Sequence, residues 1–497
     1  MIPYKTIIEI NRDSKQPVYI QLTNQFIDLI KERTIPPQTK LPGTRTLSGL
    51  VGLHRKTVIA CYEELEMQGW IVSVPKKGTF VRKDIPILQQ QTWDDKTVPR
   101  TGNKIGFAFK SNPALDRKPP QDSVDGYMYV NDGVSDERLT PVKELSITYR
   151  KIANKKHTLK YLNYGTTYGS PELRETLMCY LNETRGLNIT KDNILITRGS
   201  QMGMFLTAQL LVEDGDYIIV GETNYSSSDA TFEFAGAKLL RVKVDELGLD
   251  THHIEKLCKT YKVKAVYTTP HHHHPTTVTL SAKRRMHLLN LAKKHHFAIL
   301  EDDYDYDFHY NHAPILPLAS HDTCGNVIYV GSICKTVAPV FRVGYLIAPK
   351  AFVDECAKLR RYVDRQGDAI LEMTFSNFIK DGSLDRHIKK AVKIYKARRD
   401  LFCELLKEEL SDYLSFEIPK GGMALWVRLN KKYSWNTVKD VAKQQKLIIS
   451  EWQYYDAANT KHNAIRMGFS RYNEAEAREF VSRFKKTMRI VDEQGGA

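Results

Sequence analysis

The chain has 497 residues, enough for at least two domains of roughly 100 to 200 residues each, which excludes a lone binding module. Hydrophobic residues make up 42% and charged residues 26% of the sequence, a globular composition that excludes wholesale disorder and a fibrous repeat. The 73 Lys and Arg against 58 Asp and Glu give a net charge of +15, which favours polyanionic partners such as nucleic acid, phosphates or acidic lipid.

Neither a membrane anchor, a disulfide framework nor a zinc knuckle is predicted. The longest apolar runs fall short of the roughly 18 residues that a membrane helix needs, and the chain opens on no signal-peptide core. The seven cysteines are odd in number, scattered and without a C-x-x-C pair, a pattern typical of reduced thiols. We therefore predict a cytoplasmic protein that does not associate with membranes.

Composition divides the chain into two folded parts and a linker. Residues 84–120 combine a Gln run with scattered Pro, Gly and Asp and show little periodic apolarity, which predicts a linker. Residues 1–83 hold 13 Lys and Arg against 7 Asp and Glu, so this small part carries more than its share of the positive charge. Residues 121–490 are predicted to form the larger part.

Residues 1–83 are predicted to fold as a winged helix-turn-helix. Apolar residues recur at helical spacing in three segments, and Gly52-Leu53-His54 separates the last two by a turn of the length found in helix-turn-helix units. Two apolar runs flank Pro75-Lys76-Lys77-Gly78, which predicts a two-stranded wing with a basic tip. The predicted elements are helices over 19–30, 44–51 and 55–68 and strands over 70–74 and 79–81.

Cations gather where such a unit meets DNA. A recognition helix presents its N-terminal residues to base edges and phosphates, and a wing contacts the adjacent backbone. The alternative is a solvated basic face without a partner. The candidate DNA-binding residues are Arg45, Arg55, Lys56, Thr57, Lys76 and Lys77.

Three segments of this part resemble the DNA-binding domain of GntR-family repressors. They read L-P-x-x-R-x-L at 41–47, R-x-T-V-x-x-x-Y-x-x-L-x-x-x-G at 55–69 and G-T-F-V at 78–81. The resemblance implies double-stranded operator DNA as a partner. One departure is His54, which stands where the family usually has a Ser that caps the recognition helix.

The rest of the chain alternates apolar, β-branched runs with helical segments, which predicts a large α/β domain around a parallel sheet. Helices are predicted over 203–211 and 284–295. The predicted strands cover residues 194–197, 217–220, 265–268, 298–300, 327–330 and 343–347.

Polar motifs follow several of these strands, where ligands of such sheets bind. Gly199-Ser200-Gln201 opens a helix whose amides and hydroxyl suit a phosphate. The acidic run Glu301–Asp305 requires a cation, a metal or hydrogen-bond donors, unless it is a solvated loop. Lys335 follows a strand and precedes Arg342, and a lysine held near a second cation has the lowered pKa that favours a Schiff base.

In this order the motifs resemble the fold-type I, class I aminotransferases, which depend on pyridoxal 5′-phosphate (PLP). With both parts present, residues 15–82 and 125–485 resemble the MocR/GabR-type transcriptional regulators. This resemblance implies the fold-type I transferase fold, a large α/β domain with a smaller α+β C-terminal subdomain, behind the winged helix-turn-helix.

The resemblance also implies roles for individual residues. Lys335 would form an internal aldimine with PLP, Asp302 would pair with the pyridinium nitrogen, and Tyr304 would bond the phenolic oxygen. Tyr225 would stack on the ring. The 5′-phosphate would lie among Ser200, Gln201, Ser332 and Arg342.

Two further matches concern partners. Tyr164 corresponds to a Tyr that reaches the phosphate of the other subunit, which implies a homodimer. Arg466, in the segment Ile465–Phe469, corresponds to the Arg that clamps the α-carboxylate of an amino-acid ligand. It is therefore the candidate anchor of an amino-acid-like effector.

The sequence departs from the family pattern at four places. His274 stands where aminotransferases place an Asn on the phenolic oxygen, Cys334 replaces a Ser, and Thr223 replaces a Pro. Gly421–Trp426 resembles a working aminotransferase more than a typical regulator of the subfamily. The four histidines 271–274 do not predict a metal site, because consecutive residues of an extended chain point to opposite faces.

The interpretation that follows is a PLP-dependent, DNA-binding transcriptional regulator. Its effector is either an amino-acid-like molecule that displaces Lys335 or PLP itself. The alternative is an active aminotransferase with an accessory DNA-binding domain, since the residues for half-transamination are present. A structural or membrane-surface role finds no supporting amphipathic segment.

Overall fold

The computed structural model of the protein divides into two compact units, residues 1–110 and 111–497. Most of the predicted linker lies outside the described residues, and so does Cys334. The boundaries at residues 83, 120 and 490 therefore stay predictions. The described residues are 2–85, 105, 107–109, 126–310, 315–333, 335–449, 452–455 and 462–495.

The first unit contains the helices and the hairpin expected of a winged helix-turn-helix. A short N-terminal helix, absent from the sequence prediction, precedes them. The two strands of the hairpin are antiparallel, with Ile71 opposite Val81. The elements are α1 (Tyr4–Ile7), α2 (Val18–Lys31), α3 (Thr44–Val51), α4 (Arg55–Met67), β1 (Ile71–Val74) and β2 (Gly78–Val81).

The apolar faces of α2, α3 and α4 share one core with the wing. Phe26 on α2 is fully buried, and its ring meets that of Tyr62 on α4 edge-on at 6.1 Å. Tyr62 also donates a hydrogen bond to the Pro42 carbonyl at 2.8 Å. The recognition helix α4 is thereby fixed to the rest of the unit by residues on its buried face.

Replacing Phe26 by alanine is expected to lower the free energy of unfolding of the first unit by about 3–5 kcal/mol, the usual loss for a buried aromatic ring. Tyr19 on the same helix is 36% exposed, so Tyr19→Ala is the matched control and is expected to cost clearly less than Phe26→Ala because it removes less buried surface. Urea unfolding of both variants measures the difference. Equal losses would contradict the described core.

The second unit is built on a seven-stranded sheet of order β4-β12-β11-β10-β9-β5-β6. Its strands are β3 (Met128–Tyr129), β4 (Ile194–Thr197), β5 (Tyr217–Gly221), β6 (Lys238–Val242), β7 (Val244–Asp245), β8 (Gly248–Leu249), β9 (Val263–Thr268), β10 (Ala298–Asp303), β11 (Val327–Ser332), β12 (Gly344–Ile347), β13 (Leu414–Phe416), β14 (Ala424–Leu429), β15 (Leu447–Ile448) and β16 (Ala464–Gly468).

Helices cover the sheet and form much of the C-terminal part. They are α5 (Val142–Ala153), α6 (Pro171–Arg185), α7 (Ser200–Leu211), α8 (Ser226–Phe234), α9 (Thr251–Thr260), α10 (Ala282–His295), α11 (Lys350–Val363), α12 (Ala369–Lys380), α13 (Ser383–Leu410), α14 (Trp435–Gln444) and α15 (Glu474–Glu493).

One strand direction differs from the prediction of a fully parallel sheet. Strand β12 is antiparallel to both of its neighbours, β11 and β4. Only residues 333–343 join β11 to β12, too few for the crossover of a dozen or more residues that a parallel connection requires. Strand β6, at the edge of the sheet, was not predicted because its sequence, Lys-Leu-Leu-Arg-Val, mixes polar with apolar residues.

The two faces of the sheet bury alternate residues. Ile218 and Val220 pack in one cluster with residues of α7, α8 and α11, whereas Ile219 between them packs on the opposite face with residues of α9 and α10. Both faces are covered, which explains why the strands read as continuous apolar runs.

The C-terminal part forms the smaller α+β subdomain. Strands β13, β14 and β16 make an antiparallel sheet, and α13, α14 and α15 share its core. Trp426 on β14 stands opposite Arg466 on β16. Strand β3 pairs with β15, so the residues that follow β3 run close to this subdomain.

Candidate functional site

A cavity of about 170 Å³ lies in the second unit, beside the carboxyl ends of β4, β10 and β11. The fold brings together nine of the ten residues predicted to hold PLP, although they span residues 200 to 342 of the sequence. The cavity is lined by Asp132, Ser200, Gln201, Tyr225, Tyr267, Thr269, His274, Asp302, Tyr304, Ser332, Lys335, Pro339 and Arg342.

One end of the cavity is suited to an anion. Gly199 has a φ of +74° and directly precedes α7, whose first residue Ser200 lines the cavity. A Cβ on Gly199 would lie 2.9 Å from Nη2 of Arg342 and would displace that guanidinium, and the positive φ also favours glycine here. The positive end of a twelve-residue helix and Arg342 together favour a bound phosphate.

Asp302 is a buried carboxylate with an incomplete set of donors. The Tyr267 hydroxyl donates to Oδ2 at 2.9 Å, while Oδ1 has no hydrogen-bond partner among the described residues. Burial raises the pKa of Asp302 to about 7, the neighbouring Asp303 adds to the rise, and the Tyr267 hydrogen bond opposes it. A protonated ring nitrogen beside Oδ1 would supply both the donor and the positive charge that this carboxylate lacks.

Lys335 places its amine inside the cavity. Nζ donates a hydrogen bond to the Gly133 carbonyl at 3.1 Å and lies 5.4 Å from the centre of the Tyr304 ring. Burial lowers the pKa of this amine, Arg466 lowers it further, and Asp132 opposes the change. More of the amine is therefore neutral and nucleophilic near pH 7 than in an exposed lysine.

Arg466 is buried and lies outside the lining of the cavity, in contact with two residues of its wall. Its Nη1 donates to the Pro275 carbonyl and its Nη2 to the Tyr304 hydroxyl, each at 3.1 Å. Its Nε donates to the backbone carbonyl of Asp132 at 3.1 Å. The Tyr304 hydroxyl in turn donates to the His272 carbonyl at 2.8 Å. The clamp on an effector carboxylate and the Tyr304 contact with the phenolic oxygen stay predictions.

His274 lines the cavity and forms a pair with Asp132. Its Nε2 lies 2.9 Å from Asp132 Oδ2, and its ring centre lies 5.0 Å from that of Tyr225. Burial lowers the pKa of His274 despite the carboxylate, so the neutral ring donates from Nε2. The other three histidines of the run bond separate partners: His271 the Ile315 carbonyl, His272 Asp305 and His273 Thr276.

Tyr164 is the predicted cofactor residue that does not line the cavity. Its side chain is 74% exposed, and the Arg365 guanidinium lies 4.0 Å from its ring centre.

Four lining residues were missed by the sequence analysis. Tyr267 lies near the end of the predicted strand 265–268 and Thr269 directly follows it, so the rule that ligands bind at strand ends would have found both. The other two are Asp132 and Pro339.

In the first unit, the candidate DNA-binding residues lie on α3, on the N-terminal turn of α4 and at the tip of the wing. His54 is the residue before α4, and its Nδ1 accepts a hydrogen bond from the Lys56 amide at 3.3 Å. Histidine thus caps the recognition helix in place of the usual Ser. Arg45, Arg55, Lys56, Lys76 and Lys77 are exposed, and Thr57 is half-buried.

The described helices include none with the length and apolarity needed to cross a bilayer.

Comparison with known proteins shows which proteins this chain is similar to. Residues 137–484 match the family model of class I and II aminotransferases. The uncharacterised HTH-type transcriptional regulator YdfD of Bacillus subtilis is 25% identical over 92% of this chain and 93% of its own. Aromatic-amino-acid aminotransferase 1 of Thermococcus litoralis is 29% identical over 67% of this chain and 81% of its own. The crystal structure of Pyrococcus horikoshii kynurenine aminotransferase superposes with a TM-score of 0.71 and 27% identity, covering 77% of this chain and 97% of that one.

The regulator match extends over a larger share of the chain than the second unit alone provides, so it includes residues of the first unit. The residues around the cavity also fit the family's cofactor: an anion-binding helix end, a buried carboxylate that lacks a donor, and an amine of lowered pKa. The chain belongs to the aminotransferase class I and II family, whose cofactor is pyridoxal phosphate, and by its match to HTH-type regulators over most of its length it is a MocR/GabR-type regulator.

Proposed function

We propose that the protein is a cytoplasmic, homodimeric transcription factor that binds operator DNA through its first unit and PLP through its second. Its effector is a small molecule that carries a primary amine, as an amino acid does, or PLP itself. The observation that carries the proposal is the convergence of Ser200, Asp302, Lys335 and Arg342 on one cavity in a chain that also has a winged helix-turn-helix.

The cofactor, when bound, supplies an aldehyde that condenses with amines and a ring that accepts electrons. The chain supplies the rest. Burial lowers the pKa of the Lys335 amine, which favours its neutral, nucleophilic form. Asp302 would hold a proton on the ring nitrogen, and the Tyr267 hydroxyl orients Asp302 by donating to its Oδ2 at 2.9 Å. The N-terminus of α7 and Arg342 would hold the phosphate and so orient the ring.

Regulation requires that the effector bind two states of the protein unequally. An effector amine that competes with Lys335 would change what the Lys335 side chain contacts, and the hydrogen bond from Nζ to the Gly133 carbonyl at 3.1 Å is the contact that such a change would affect. An effector with different affinities for the two states shifts the population that binds DNA by the ratio of those affinities.

The homodimer rests on Tyr164. Its side chain is 74% exposed and lies outside the cavity of its own chain, as expected of a residue that reaches the phosphate of the partner. Light scattering of the purified protein is expected to give twice the mass of one chain.

The second candidate function is an active aminotransferase. The 29% identity to an aromatic-amino-acid aminotransferase favours it, as does the presence of Lys335, which could carry a proton between substrate and cofactor. We place it second because the regulator match covers far more of the chain, 92% against 67%.

One experiment distinguishes the two functions. Protein saturated with PLP is titrated onto the DNA upstream of its own gene, and the same preparation is assayed with pairs of amino and keto acids. A regulator is expected to bind that DNA with a Kd of roughly 10⁻⁸ M or below at physiological salt and to give no steady turnover. Steady turnover together with only non-specific DNA binding would establish the aminotransferase instead.

A further inference from the structure

A carboxylate of the chain itself lies beside the guanidinium that the family resemblance assigns to an effector carboxylate. Asp132 follows β3, and its Oδ1 lies 3.3 Å from Nε of Arg466. The same Nε donates to the backbone carbonyl of Asp132 at 3.1 Å. Side chain and backbone of one residue thus both meet Arg466, whose charge is paired within the chain.

Asp132 is held in this place from several sides. Its Oδ2 accepts a hydrogen bond from His274 Nε2 at 2.9 Å, and its Oδ1 accepts one from the Tyr455 hydroxyl at 3.1 Å. Burial alone would raise the pKa of Asp132, but His274 and Arg466 hold it well below the usual range. The side chain is therefore an ionised carboxylate throughout the physiological pH range.

The backbone around Asp132 is equally constrained. Asn131 Oδ1 accepts hydrogen bonds from the amides of Gly133 and Val134. Gly133 has a φ of +79°, and a Cβ on Gly468 of β16 would lie 1.9 Å from Asn131 Oδ1. The loop is packed closely on β16, which holds the backbone of Asp132 beside Arg466.

Asp132 also borders the place where an effector amine would bind. It lines the cavity and keeps 38% of its side chain accessible. The Lys335 amine donates to the carbonyl of Gly133, the next residue in the chain, at 3.1 Å. A molecule whose amine replaces that of Lys335 therefore brings its neighbouring groups against the Asp132 carboxylate.

An α-amino acid and a simple amine meet this carboxylate differently. The α-carboxylate of an amino acid would have to share the guanidinium of Arg466 with Asp132. Two carboxylates beside one guanidinium repel each other, which weakens binding of the amino acid. An amine without that carboxylate leaves the Asp132–Arg466 pair intact, and a second cationic group on it would find an acceptor in Asp132.

We propose that Asp132 is a specificity-determining residue, which makes the cavity take primary amines without an α-carboxylate in preference to α-amino acids. This rests on the proposed function, in which the effector amine binds at the Lys335 position of the PLP-loaded protein. It narrows that function from amino-acid-like effectors to amines.

The test compares amines with the amino acids that differ from them only by the carboxylate. Full-length protein loaded with PLP is titrated with phenethylamine against L-phenylalanine and with cadaverine against L-lysine, and binding is followed by the change in visible absorbance. The wild-type protein is expected to bind each amine at least about tenfold more tightly than its amino acid. Asp132→Asn is expected to lose this preference or reverse it, since its amide no longer repels a carboxylate.

Asp492→Asn is the matched control, because Asp492 lies on α15 beside Lys432 and outside the cavity; it is expected to keep the wild-type ratio. Equal affinities or a preference for the amino acids in the wild-type protein would overturn the proposal, and so would a wild-type ratio in Asp132→Asn. If Asp132→Asn fails to load PLP, Asp132→Ser takes its place, and the proposal is judged on the ratio of amine to amino-acid affinity in that variant and in the wild-type protein. A wild-type protein that leaves the absorption spectrum of PLP unchanged would overturn the proposed function itself, which keeps the two failures distinct.

Discussion

Replacing Lys335 by alanine is expected to abolish covalent capture of PLP. The Lys335 amine lines the cavity and has a lowered pKa because it is buried, so it is the nucleophile available to the cofactor aldehyde. Wild-type protein incubated with PLP and reduced with borohydride is expected to gain the mass of one reduced cofactor per chain on the peptide that contains residue 335. Lys335→Ala is expected to gain none, and PLP bound to it is expected to keep the absorbance of the free aldehyde.

Lys335→Arg separates loss of the nucleophile from loss of a buried cation. Arginine keeps the positive charge but stays protonated and cannot condense with an aldehyde. It is expected to behave as the alanine variant does in both measurements. Labelling of a different lysine in the wild-type protein would show that residue 335 has been assigned the wrong role.

The second large effect is expected at the recognition helix. Arg55 is the first residue of α4 and is exposed. In a winged helix-turn-helix this position faces base edges or phosphates. Arg55→Ala is expected to cost about 1–3 kcal/mol of binding free energy, a loss of roughly 5- to 150-fold in affinity for the operator. Fluorescence anisotropy with labelled operator measures it.

The salt dependence of the same variant indicates which contact was lost. Removal of a phosphate contact is expected to reduce the slope of log K against log[salt] by about 1, whereas removal of a base contact relaxes sequence preference. Arg33→Ala serves as the control, since Arg33 is exposed in the same unit but lies outside α3, α4 and the wing. Identical losses in both variants would mean that only overall charge matters.

Much of the cofactor site followed from the sequence because of one geometric rule. Residues after parallel strands meet at the same edge of the sheet, so Ser200, Asp302 and Ser332 could be grouped although they lie far apart in the chain. Helices α3 and α4 were equally predictable, since their apolar spacing and the intervening turn are local features.

Other features depend on contacts that no local pattern contains. The reversal of β12 follows from a connection too short for a crossover, which the apolar pattern of the strand does not reveal. The place of Asp132 depends on Arg466, 334 residues away, and its own neighbours in the sequence resemble an ordinary polar loop. The capping of α4 by His54 was also not predictable from the family pattern, because a Ser hydroxyl usually caps this helix, whereas here the imidazole Nδ1 accepts the bond from the Lys56 amide.

An amine bound in the second unit is expected to control DNA binding by the first, and one measurement tests that link directly. The affinity of PLP-loaded protein for its operator is measured by fluorescence anisotropy with and without saturating cadaverine, for the wild-type protein and for Lys335→Ala. We expect cadaverine to change the wild-type affinity at least about tenfold, which corresponds to a coupling of about 1.4 kcal/mol, and to leave that of Lys335→Ala unchanged. An equal change of affinity in both proteins would contradict this link between amine binding and DNA binding. So would a wild-type affinity that no bound amine or amino acid changes.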